Sequence, residues 1–406
     1  MPTVLQINVT ANSGSTGKIA EQINQVARSQ GWKTYLAYGR NMQPCKSELI
    51  HVGNMLQVYE HYAEYRIFDN NGLASRLATY RLIRRIERIR PDIIHLHNIH
   101  DHWLNYRILF EYLNTLSTPV VWTQHDCWSF TGGCGHFSII GCNKWRSLCD
   151  VCPKKQYLLN HCFSEKTEKQ FLLKKKLFTS TKRLTLVPVS HWLESVIKES
   201  FLKDKQIRTI YNGVDLNVFY PVDSTLVRQK CGINDTSYVI ACATSWSNRK
   251  GLKDYVALSK KIDTETKILL VGLSEQQIKQ VTPYGIIGIP RTENVHELAA
   301  LYSGAKIVMN LSYEETFGLT TIEGFACGTP AIVYNCTASP ELVTEETGII
   351  VEPGDVDAVV MAIRELLSKG KERYSLACIA HAKQKFNKEN KFTEYLNLYD
   401  ELISKK

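Results

Sequence analysis

The sequence lacks any long hydrophobic run, which argues against a membrane-spanning helix. A bilayer span needs about 18 consecutive apolar residues, whereas apolar runs here, such as residues 267–273, have the length of a strand. The first residues, MPTVLQINV, lack the basic start of a secretory signal and enter a strand-like pattern at once. Internal repeats and low-complexity tracts are also missing. We therefore expect a soluble, cytoplasmic protein.

The chain has 406 residues, enough for two or three folded units of roughly 150 residues each. Hydrophobic residues make up 44% and charged residues 22%, which excludes a largely disordered protein. The net charge of +9 favours anionic partners such as nucleotides, a membrane face or nucleic acid. Much of the excess lies in the first half, where residues 76–90 hold six arginines against one glutamate. Residues 166–183 hold seven basic residues against one glutamate.

Short apolar runs alternate with amphipathic stretches along nearly the whole chain. This alternation predicts parallel sheets covered by helices, and two such series predict an α/β protein of two doubly wound domains. Asn-Gly and Pro in residues 211–221 favour a hinge there. We expect an N-terminal domain over 1–210, a second domain over 211–388, and a final helix, 389–406, that crosses back onto the first. The predicted strands are 3–9, 33–38, 92–96, 119–123, 184–189, 238–243, 266–271, 305–311 and 331–334.

Two carboxylates eight positions apart, Glu315 and Glu323, bracket a glycine turn in the segment ETFGLTTIE. The first would lie in the loop after a strand and the second one turn into the next helix, where doubly wound sheets bind ligands. The helix N-terminus suits a phosphate, Glu323 suits ribose hydroxyls, and Glu315 suits sugar hydroxyls. The alternative is that Glu323 only complements the helix dipole and Glu315 is a solvated loop acid.

A second polar loop, residues 245–251, follows another predicted strand and contains the adjacent cations Arg249 and Lys250. Two cations before a helix can neutralise a diphosphate leaving group, where the largest charge develops when a glycosyl–phosphate bond breaks. Taken alone, the loop is better explained as a solvated basic turn.

Together these segments resemble glycosyltransferase family 4, whose members adopt the GT-B fold. The resemblance covers nearly the whole chain and implies two Rossmann-like domains that face a cleft. It rests on the family's N-G-V-D…F-x-P hinge, its K-G pair, its E-x7-E motif and the A-x-G-x-P sequel. The matching residues are 212–215, Phe219 and Pro221 for the hinge, Lys250 and Gly251, Glu315 and Glu323, and 326–330.

The resemblance implies that the second domain binds a nucleotide-sugar donor. In family members the second glutamate of the motif binds the ribose, here Glu323, and an Arg/Lys pair binds the pyrophosphate, here Arg249 and Lys250. Backbone amides after the first glutamate, here Glu315, hold sugar and phosphate. The family usually has Gly-Arg directly after the first strand, whereas this chain has Ser-Trp at 245–246 and its arginine is displaced.

The first domain would supply a glycine-bearing loop and a histidine. Residues 12–18 look like a phosphate loop, but the Walker A spacing needs glycine at position 12, where this chain has Asn. In the family a glycine-bearing loop here approaches the donor phosphate, which Gly14 and Gly17 fit. His125 matches a family histidine near the donor sugar and acceptor, and a capping histidine is the alternative. The implied donor-binding residues are Gly14, Gly17, Arg249, Lys250, Phe317, Gly318, Leu319 and Glu323, and the implied catalytic residues are His125 and Glu315.

Six of the twelve cysteines lie within residues 127–162. In a cytosolic chain they favour thiols or metal ligands over disulfides. A C-x2-C pair with two further cysteines suits a tetrahedral metal site, and a structural zinc would compensate for the segment's weak apolar pattern. An iron–sulfur cluster and a reduced loop without metal are the alternatives. The zinc ligands would be Cys134, Cys142, Cys149 and Cys152.

Residues 76–90 form a predicted basic amphipathic helix. A helix of this kind can lie on an anionic bilayer, and a core helix with a solvated charged face is the alternative. The apolar residues at helical spacing are Leu77, Tyr80, Ile83, Ile86 and Ile89.

Two other patterns invite a metal-site interpretation and are better explained otherwise. His95 and His97 alternate along a strand without the spacing of a helical zinc motif, so we treat them as cleft or packing residues. Asp355 and Asp357 open a predicted helix and are an N-cap and a first-turn acid, not the metal-binding DxD of other glycosyltransferases.

We therefore expect a retaining glycosyltransferase of the hexosyltransferase type that uses a nucleotide-diphosphate sugar and no catalytic metal. Similar Cys-rich insertions occur in surface-polysaccharide members of the family, which points to a bacterial surface glycan, free or lipid-linked, as acceptor. The basic first half would suit peripheral contact with the inner membrane face.

A nucleotide-sugar 2-epimerase of the same fold is the alternative enzyme, but it should lack the hinge and E-x7-E patterns. A zinc-dependent nucleic-acid-binding protein is the other alternative, although the basic runs are not regularly interleaved with aromatic residues.

Overall fold

The computed structural model describes residues 1–153, 166–234, 236–263 and 265–405. Contacts divide the chain into two compact units. The first unit comprises Met1–Ile210 with Phe392–Lys406, and the second comprises Tyr211–Lys391. The end of the Cys-rich insertion, including Cys162, lies outside the described residues.

The first unit is built on a seven-stranded parallel sheet. Its strands are β1 (Thr3–Asn8), β2 (Lys33–Tyr38), β3 (Glu48–His51), β4 (Ile93–Leu96), β5 (Val120–Gln124), β6 (Leu184–Pro188) and β7 (Gln206–Ile207). The strand order is β3-β2-β1-β4-β5-β6-β7. The order reverses between β1 and β4, which makes that position the switch point of a doubly wound sheet.

The second unit is built on a six-stranded parallel sheet. Its strands are β8 (Ser237–Cys242), β9 (Thr266–Val271), β10 (Ile287–Ile289), β11 (Ile307–Asn310), β12 (Ala331–Tyr334) and β13 (Gly348–Val351). The order β10-β9-β8-β11-β12-β13 has its switch point between β8 and β11. The prediction of two doubly wound parallel sheets is confirmed.

Helices connect the strands of both sheets. They are α1 (Gly14–Ser29), α2 (Met55–Phe68), α3 (Arg76–Ile89), α4 (Tyr106–Leu113), α5 (Thr167–Ser180), α6 (His191–Lys198), α7 (Thr225–Lys230), α8 (Leu252–Ser259), α9 (Glu275–Val281), α10 (Val295–Gly304), α11 (Leu319–Ala326), α12 (Val356–Lys369), α13 (Lys371–Phe386) and α14 (Lys388–Ser404). Short 3-10 turns occupy Trp128–Phe130, Lys144–Arg146, Asn248–Lys250, Thr282–Tyr284 and Ser339–Leu342. Among the described residues, no helix has both the length and the apolar character that crossing a membrane requires.

The C-terminal part of α14 packs into the core of the first unit. Tyr395 and Tyr399 are fully buried there, and the Tyr399 hydroxyl lies 2.5 Å from Nδ1 of His95 on β4. His95 Nε2 contacts the Thr123 hydroxyl of β5 at 2.7 Å. Because buried polar groups need hydrogen-bond partners, these contacts allow polar side chains inside the sheet.

Several elements were not predicted from the sequence, chiefly short strands at the edges of the sheets. The strands β3 and β7 have few apolar residues and are only partly covered. A central strand is buried on both faces and shows as a continuous apolar run, but an edge strand has no such pattern. At the start of α12, the predicted N-cap is confirmed, because Asp355 Oδ1 accepts from Ala358 N at 2.9 Å.

The predicted apolar face of the basic helix α3 is wrong in part. Leu77 and Tyr80 are more than half exposed, whereas Ala78 and Thr79 are buried in their place. The physical reason is the Thr79 hydroxyl, which accepts from the Asn105 backbone N–H at 2.9 Å and therefore faces the core. The buried face of α3 is therefore rotated about the helix axis relative to the predicted apolar face, and Leu77 and Tyr80 face solvent.

Candidate active site

The loops after β8 and β11, on either side of the switch point in the second sheet, are bonded to each other. Tyr313 N donates to the Arg249 carbonyl at 2.9 Å, and Arg249 Nη1 donates to the Glu314 carbonyl at 3.0 Å. The cation-bearing turn and the first glutamate of the E-x7-E segment are therefore held side by side. This arrangement matches the position at which doubly wound sheets bind ligands.

Lys250 and Glu315, both predicted site residues, form an ion pair through Nζ and Oε2. Their side chains are only 19% and 16% exposed, so little water screens the pair. The backbone of Glu315 is also fixed, because its N–H donates to Thr337 Oγ1 and its carbonyl accepts from Ala338 N. The pair holds the ammonium group in place at the edge of the sheet, where an anionic ligand could share it.

Gly251 makes the close approach of the two loops possible. It adopts a left-handed conformation, with φ of +71°. A Cβ at this position would lie 2.2 Å from the Leu311 carbonyl oxygen, well inside van der Waals contact. Only glycine satisfies both conditions, so the K-G pair has a structural reason beyond its charge.

Glu323 lies in the second turn of α11, and a hydrogen bond from a buried side chain holds its carboxylate in place. The buried Tyr302 hydroxyl donates to its Oε2 at 3.1 Å. Burial raises the pKa of Tyr302 well above its usual value, so the hydroxyl stays protonated and able to donate. Gly318 precedes the first residue of α11, Leu319, and no described side chain caps this N-terminus. A helix start of this kind favours an anion.

Phe317 contributes its backbone to the loop but not its ring. The side chain is only 3% exposed and packs near Tyr211 and Phe386. The predicted role of its amide therefore depends on the loop conformation, which this buried ring helps to fix.

A cavity of about 760 Å³ opens at the carboxyl ends of β8, β9 and β10. Gln277 and Arg291 line it and were not among the predicted site residues. Because β10, the strand before Arg291, is not among the predicted strands, no pattern in the sequence pointed to this residue. Trp246, which stands where the resembling family has an arginine, is buried and donates to the Val271 carbonyl at 2.9 Å, so it forms part of the cavity wall. The lining residues are Thr244, Ser245, Trp246, Gly272, Leu273, Ser274, Gln276, Gln277, Gln280, Pro290 and Arg291.

In the first unit, His125 follows β5 and lies beside His97, which follows β4. The His97 Nδ1 and His125 Nε2 atoms are 3.0 Å apart. Burial lowers the pKa of His125 to about 4, so its imidazole is neutral at pH 7. His97 is 1% exposed, and burial places its pKa well below the usual value.

The neighbouring His100 has the opposite charge state. Burial alone would lower its pKa, but the carboxylates of Asp126 and Asp101 outweigh this effect and raise the pKa to about 10. Its Nε2 lies 2.8 Å from Asp126 and its Nδ1 3.2 Å from Asp101. Although burial opposes ionisation of Asp126, the charge and hydrogen bond of His100 hold its pKa below the usual value. An imidazolium and a neutral imidazole therefore lie close together at this edge of the sheet.

Gly14 and Gly17 lie in the first turn of α1, after β1. A Cβ on Gly17 would come within 2.5 Å of Thr10 Oγ1, a hydroxyl that donates to the Ser13 carbonyl at 2.6 Å. Gly17 thus allows the loop to fold tightly against the helix. Both glycines lie at the carboxyl edge of the sheet, as His125 does.

The Cys-rich segment has a small core of its own, contrary to the expectation from its apolar pattern. Phe130, Phe137 and Trp145 are nearly fully buried, and the Phe137 and Trp145 rings are stacked 4.9 Å apart. The buried Lys174 Nζ supports the segment by donating to the carbonyls of Trp128 at 2.8 Å and Thr131 at 3.2 Å. These residues were missed because their contacts come together only in the folded chain.

The four predicted zinc ligands lie within the described part of the segment. Across residues 1–153, 166–234, 236–263 and 265–405, no three His, Cys, Asp or Glu side chains are placed to hold one metal ion. Burial raises the pKa of the Cys149 thiol to about 12. Zinc on Cys134, Cys142, Cys149 and Cys152 therefore stays a prediction.

Two family models match the chain in succession. The model described as Glycosyltransferase Family 4 matches residues 23–218. The model described as Glycosyl transferases group 1 matches residues 223–384, which include the two joined loops and Glu323.

The chain is also similar to individual proteins of known sequence or structure. The chain is 24% identical over 428 residues to the putative colanic acid biosynthesis glycosyl transferase WcaC of Escherichia coli, covering 98% of this chain and 100% of that protein. Among solved structures, it is similar to sucrose-phosphate synthase from Thermosynechococcus elongatus, with a TM-score of 0.74 and 19% identity over 100% of both chains. It is also similar to Anabaena HepE in complex with UDP, with a TM-score of 0.68 and 14% identity over 99% of this chain and 100% of that one. The structural likenesses confirm the predicted fold class.

Replacement of Gly251 should disrupt the joined loops. Gly251→Ala combines a left-handed alanine, which costs about 1–3 kcal/mol, with the clash against the Leu311 carbonyl. Gly285→Ala is the matched control, because Gly285 has a similar φ of +73° and nothing within 4 Å of the added Cβ. Urea unfolding should show a larger loss of stability for Gly251→Ala, and equal losses would contradict a close-packing role.

The charge state of His100 predicts how stability depends on pH. A folded pKa of about 10, above the unfolded value of about 6.5, means that this stabilisation is complete below pH 6.5 and is lost as the pH rises to about 10. The stability difference between wild type and His100→Gln should therefore shrink from pH 6.5 to 10. Below about pH 4 the difference should also shrink, because the depressed pKa of Asp126 is then approached.

Urea unfolding across this pH range measures the effect. The exposed His296 provides the control His296→Gln, whose difference from wild type should not follow this profile. A His100→Gln difference that is constant between pH 6.5 and 10 would mean that His100 is not held protonated by the two aspartates.

Proposed function

The chain belongs to glycosyltransferase family 4, and on that premise we propose that it is a retaining enzyme that transfers a sugar from a nucleotide-diphosphate sugar to a glycan acceptor. The observation that carries the proposal is the pair of joined loops at the switch point of the second sheet. These loops place Lys250, Arg249 and Glu315 together, close to the start of the helix that bears Glu323. Membership in the family favours transfer over 2-epimerisation.

We propose that the second unit binds the donor. Lys250, with Arg249 beside it, would neutralise the diphosphate as the bond to the sugar breaks, and the N-terminus of α11 would add its dipole. Glu323, fixed by Tyr302, would accept hydrogen bonds from the ribose hydroxyls. The cavity lined by Arg291 would accommodate the base. HepE, which has the same fold, was crystallised in complex with UDP, and this supports a nucleotide ligand.

The sugar would be oriented by Glu315, and His125 is the second residue to which the family resemblance assigns a catalytic role. Binding of the diphosphate would draw Lys250 toward the phosphates and leave the Glu315 carboxylate to accept sugar hydroxyls. For retention, the diphosphate leaves and the acceptor hydroxyl attacks on the same face of the sugar. Retention is supported by the family resemblance, and the one-bond carbon–proton coupling at the anomeric centre of the product tests it.

The acceptor we propose is a bacterial surface glycan. Support comes from the similarity to WcaC over nearly the full length of both chains, because the name of that protein places it in colanic acid biosynthesis. The Cys-rich segment after His125 is a second point of resemblance to surface-polysaccharide enzymes.

Nucleotide binding can be tested before the sugar and acceptor are known. UDP, GDP and ADP are each added at millimolar concentration in thermal unfolding, and at 100 times its Kd the cognate nucleotide should add about 2.7 kcal/mol of stability. Glu323→Ala should weaken this nucleotide tenfold or more, because hydrogen bonds to a charged group contribute about 1.5–3 kcal/mol.

The matched control is Glu372→Ala, which removes an exposed glutamate from the first turn of another helix of the same unit. It should bind the nucleotide as the wild type does. If no nucleotide stabilises the protein, or if Glu323→Ala binds as well as the control, the donor site is misassigned.

We also propose peripheral contact with the cytoplasmic face of an anionic membrane, through a surface formed by α2 and α3. Leu56 and Tyr59 of α2 are 78% and 65% exposed, unusual values for large apolar side chains. Arg76 of α3 is 4.0 Å from Glu64 of α2, which joins the two helices. The exposed apolar residues are Met55, Leu56, Tyr59, Tyr62, Ile67, Phe68, Leu77 and Tyr80, and the exposed arginines of α3 are Arg76, Arg81, Arg84, Arg85 and Arg88.

This α2–α3 surface combines the two features that hold proteins at an interface: apolar side chains for the acyl boundary and cations for lipid phosphates. A triple variant, Arg84→Glu with Arg85→Glu and Arg88→Glu, should reduce binding to phosphatidylglycerol-containing vesicles about a hundredfold or more, at roughly 1 kcal/mol per basic residue.

Vesicle co-sedimentation measures the change. The control replaces three exposed lysines of the second unit, Lys260, Lys261 and Lys279, by glutamate, which alters the net charge equally. If both triple variants lose binding to the same extent, the attraction is general and the α2–α3 surface is not the contact.

A further inference from the structure

The two joined loops of the second unit carry as many carboxylates as cations. Residues 244–251 contain Arg249 and Lys250, and residues 311–318 contain Glu314 and Glu315. No other Asp, Glu, Lys or Arg lies in either segment. The charges of these loops therefore balance before a ligand binds. Because an excess of positive charge is what attracts an anion, a diphosphate gains little attraction here unless one carboxylate is displaced or compensated.

Glu315 is the carboxylate in direct contact with a cation. Its Oε2 pairs with Lys250 Nζ, and the two side chains are 16% and 19% exposed. Within the part of the chain that the structure describes, neither side chain has a second ion-pair or hydrogen-bond partner. Salt screens an ion pair only weakly when it is shielded from water in this way. An anion that binds Lys250 therefore competes directly with Glu315.

Backbone contacts keep the competing carboxylate close to Lys250. The Glu315 N–H donates to Thr337 Oγ1 at 2.9 Å, and the Glu315 carbonyl accepts from Ala338 N at 3.1 Å. Lys250 ends a 3-10 turn, and its own N–H donates to the Ser247 carbonyl at 3.0 Å. The Glu315 side chain can rotate, but these contacts hold its backbone in place. A diphosphate bound at Lys250 consequently lies near a carboxylate.

The donor and the product of a sugar transfer would meet this carboxylate differently. In a nucleoside diphosphate, the terminal phosphate has a second pKa of about 6 and therefore carries about two negative charges at pH 7. In the nucleotide sugar, the bond to the sugar removes one of these charges and places sugar hydroxyls beside the phosphate. A hydroxyl can donate a hydrogen bond to a carboxylate, and hydrogen bonds to charged groups are strong.

We propose that Glu315 is a specificity-determining residue that makes the site bind the nucleotide-sugar donor in preference to the nucleoside diphosphate product. This inference rests on the proposed function. While the donor is bound, sugar hydroxyls compensate the carboxylate that has been displaced from Lys250.

Transfer of the sugar reverses this balance. The electron pair of the broken sugar–oxygen bond stays on the terminal phosphate, and the acceptor hydroxyl bonds to the sugar and releases its proton. The donated hydrogen bonds are then lost and the phosphate has gained a negative charge. Glu315 therefore repels the diphosphate and pairs with Lys250 again, which promotes release of the product.

Isothermal titration calorimetry with UDP, GDP and ADP tests the inference. In Glu315→Gln, the amide keeps the size of the side chain but neither forms an ion pair with Lys250 nor repels a phosphate. The Kd of the nucleoside diphosphate that binds should fall about tenfold, because removal of a like charge at a distance of a few ångströms has roughly this effect. An unchanged or higher Kd would overturn the inference.

Glu365→Gln is the matched control. It removes the same charge from another ion pair of the second unit, because Glu365 Oε1 lies 2.6 Å from Lys369 Nζ on α12. The control should bind the nucleoside diphosphate as the wild type does. Equal tightening in the two variants would show that the change in net charge is responsible and would contradict a specific role of Glu315.

The glucose conjugate of the same nucleotide tests the preference itself. Because its terminal phosphate carries one negative charge less, Glu315→Gln should tighten binding of the conjugate less than binding of the free diphosphate. The Kd of the diphosphate divided by the Kd of the conjugate should therefore be lower in Glu315→Gln than in the wild type. An equal ratio in the two proteins would show that Glu315 does not distinguish donor from product.

The same titrations separate this inference from the proposed function. If none of the three nucleotides binds the wild type or the variants, the proposed donor site is wrong and the inference is overturned with it. If a nucleotide binds the wild type and Glu315→Gln binds it no more tightly, only the inference is wrong. Glu315→Ala replaces Glu315→Gln if that variant does not fold, and the same results are expected.

Discussion

Parallel strand order is the constraint on which the rest of the structure depends. In a doubly wound sheet, every loop that follows a strand emerges at the same edge, so residues distant in sequence become neighbours. Arg249 and Glu314 are 65 positions apart and hydrogen-bond across the switch point of the second sheet. His97 and His125 are 28 positions apart and meet at the corresponding edge of the first. Each unit thus gathers its functional groups by the same rule.

Burial and ion pairing then determine the charge of each side chain at these sheet edges. Lys250 has Glu315 as its partner, so its ammonium group is held in an ion pair that is largely shielded from water. In the first unit, burial lowers the pKa of His97 and of His125, whereas two aspartates raise the pKa of His100 and keep it protonated. Residues of one type therefore have opposite pKa shifts in the same part of the sheet edge, because their surroundings differ.

Much of the fold and several residues of the candidate site were predictable because the sequence signals for them are local. A buried parallel strand shows in the sequence as a continuous apolar run. The loop with Glu315, a glycine and Glu323 can likewise be recognised from the spacing of these residues, without knowledge of tertiary contacts. The exposed face of α3 was not predictable. Thr79 turns inward because its hydroxyl meets the Asn105 backbone, which is a contact between distant segments. The small core around Trp145 in the Cys-rich segment was not predicted either, because its apolar residues follow no periodic pattern in the sequence.

The sequence by itself determined the two alternating series of strands and helices, the E-x7-E segment and the presence of adjacent cations. Tertiary structure alone decided that Lys250 pairs with Glu315 and that Gly251 must be glycine because of the Leu311 carbonyl. Local pattern reflects propensity and burial, which depend on neighbours in the chain. Protonation and close approach depend on which atoms face each other across elements, and only the folded chain brings those atoms together.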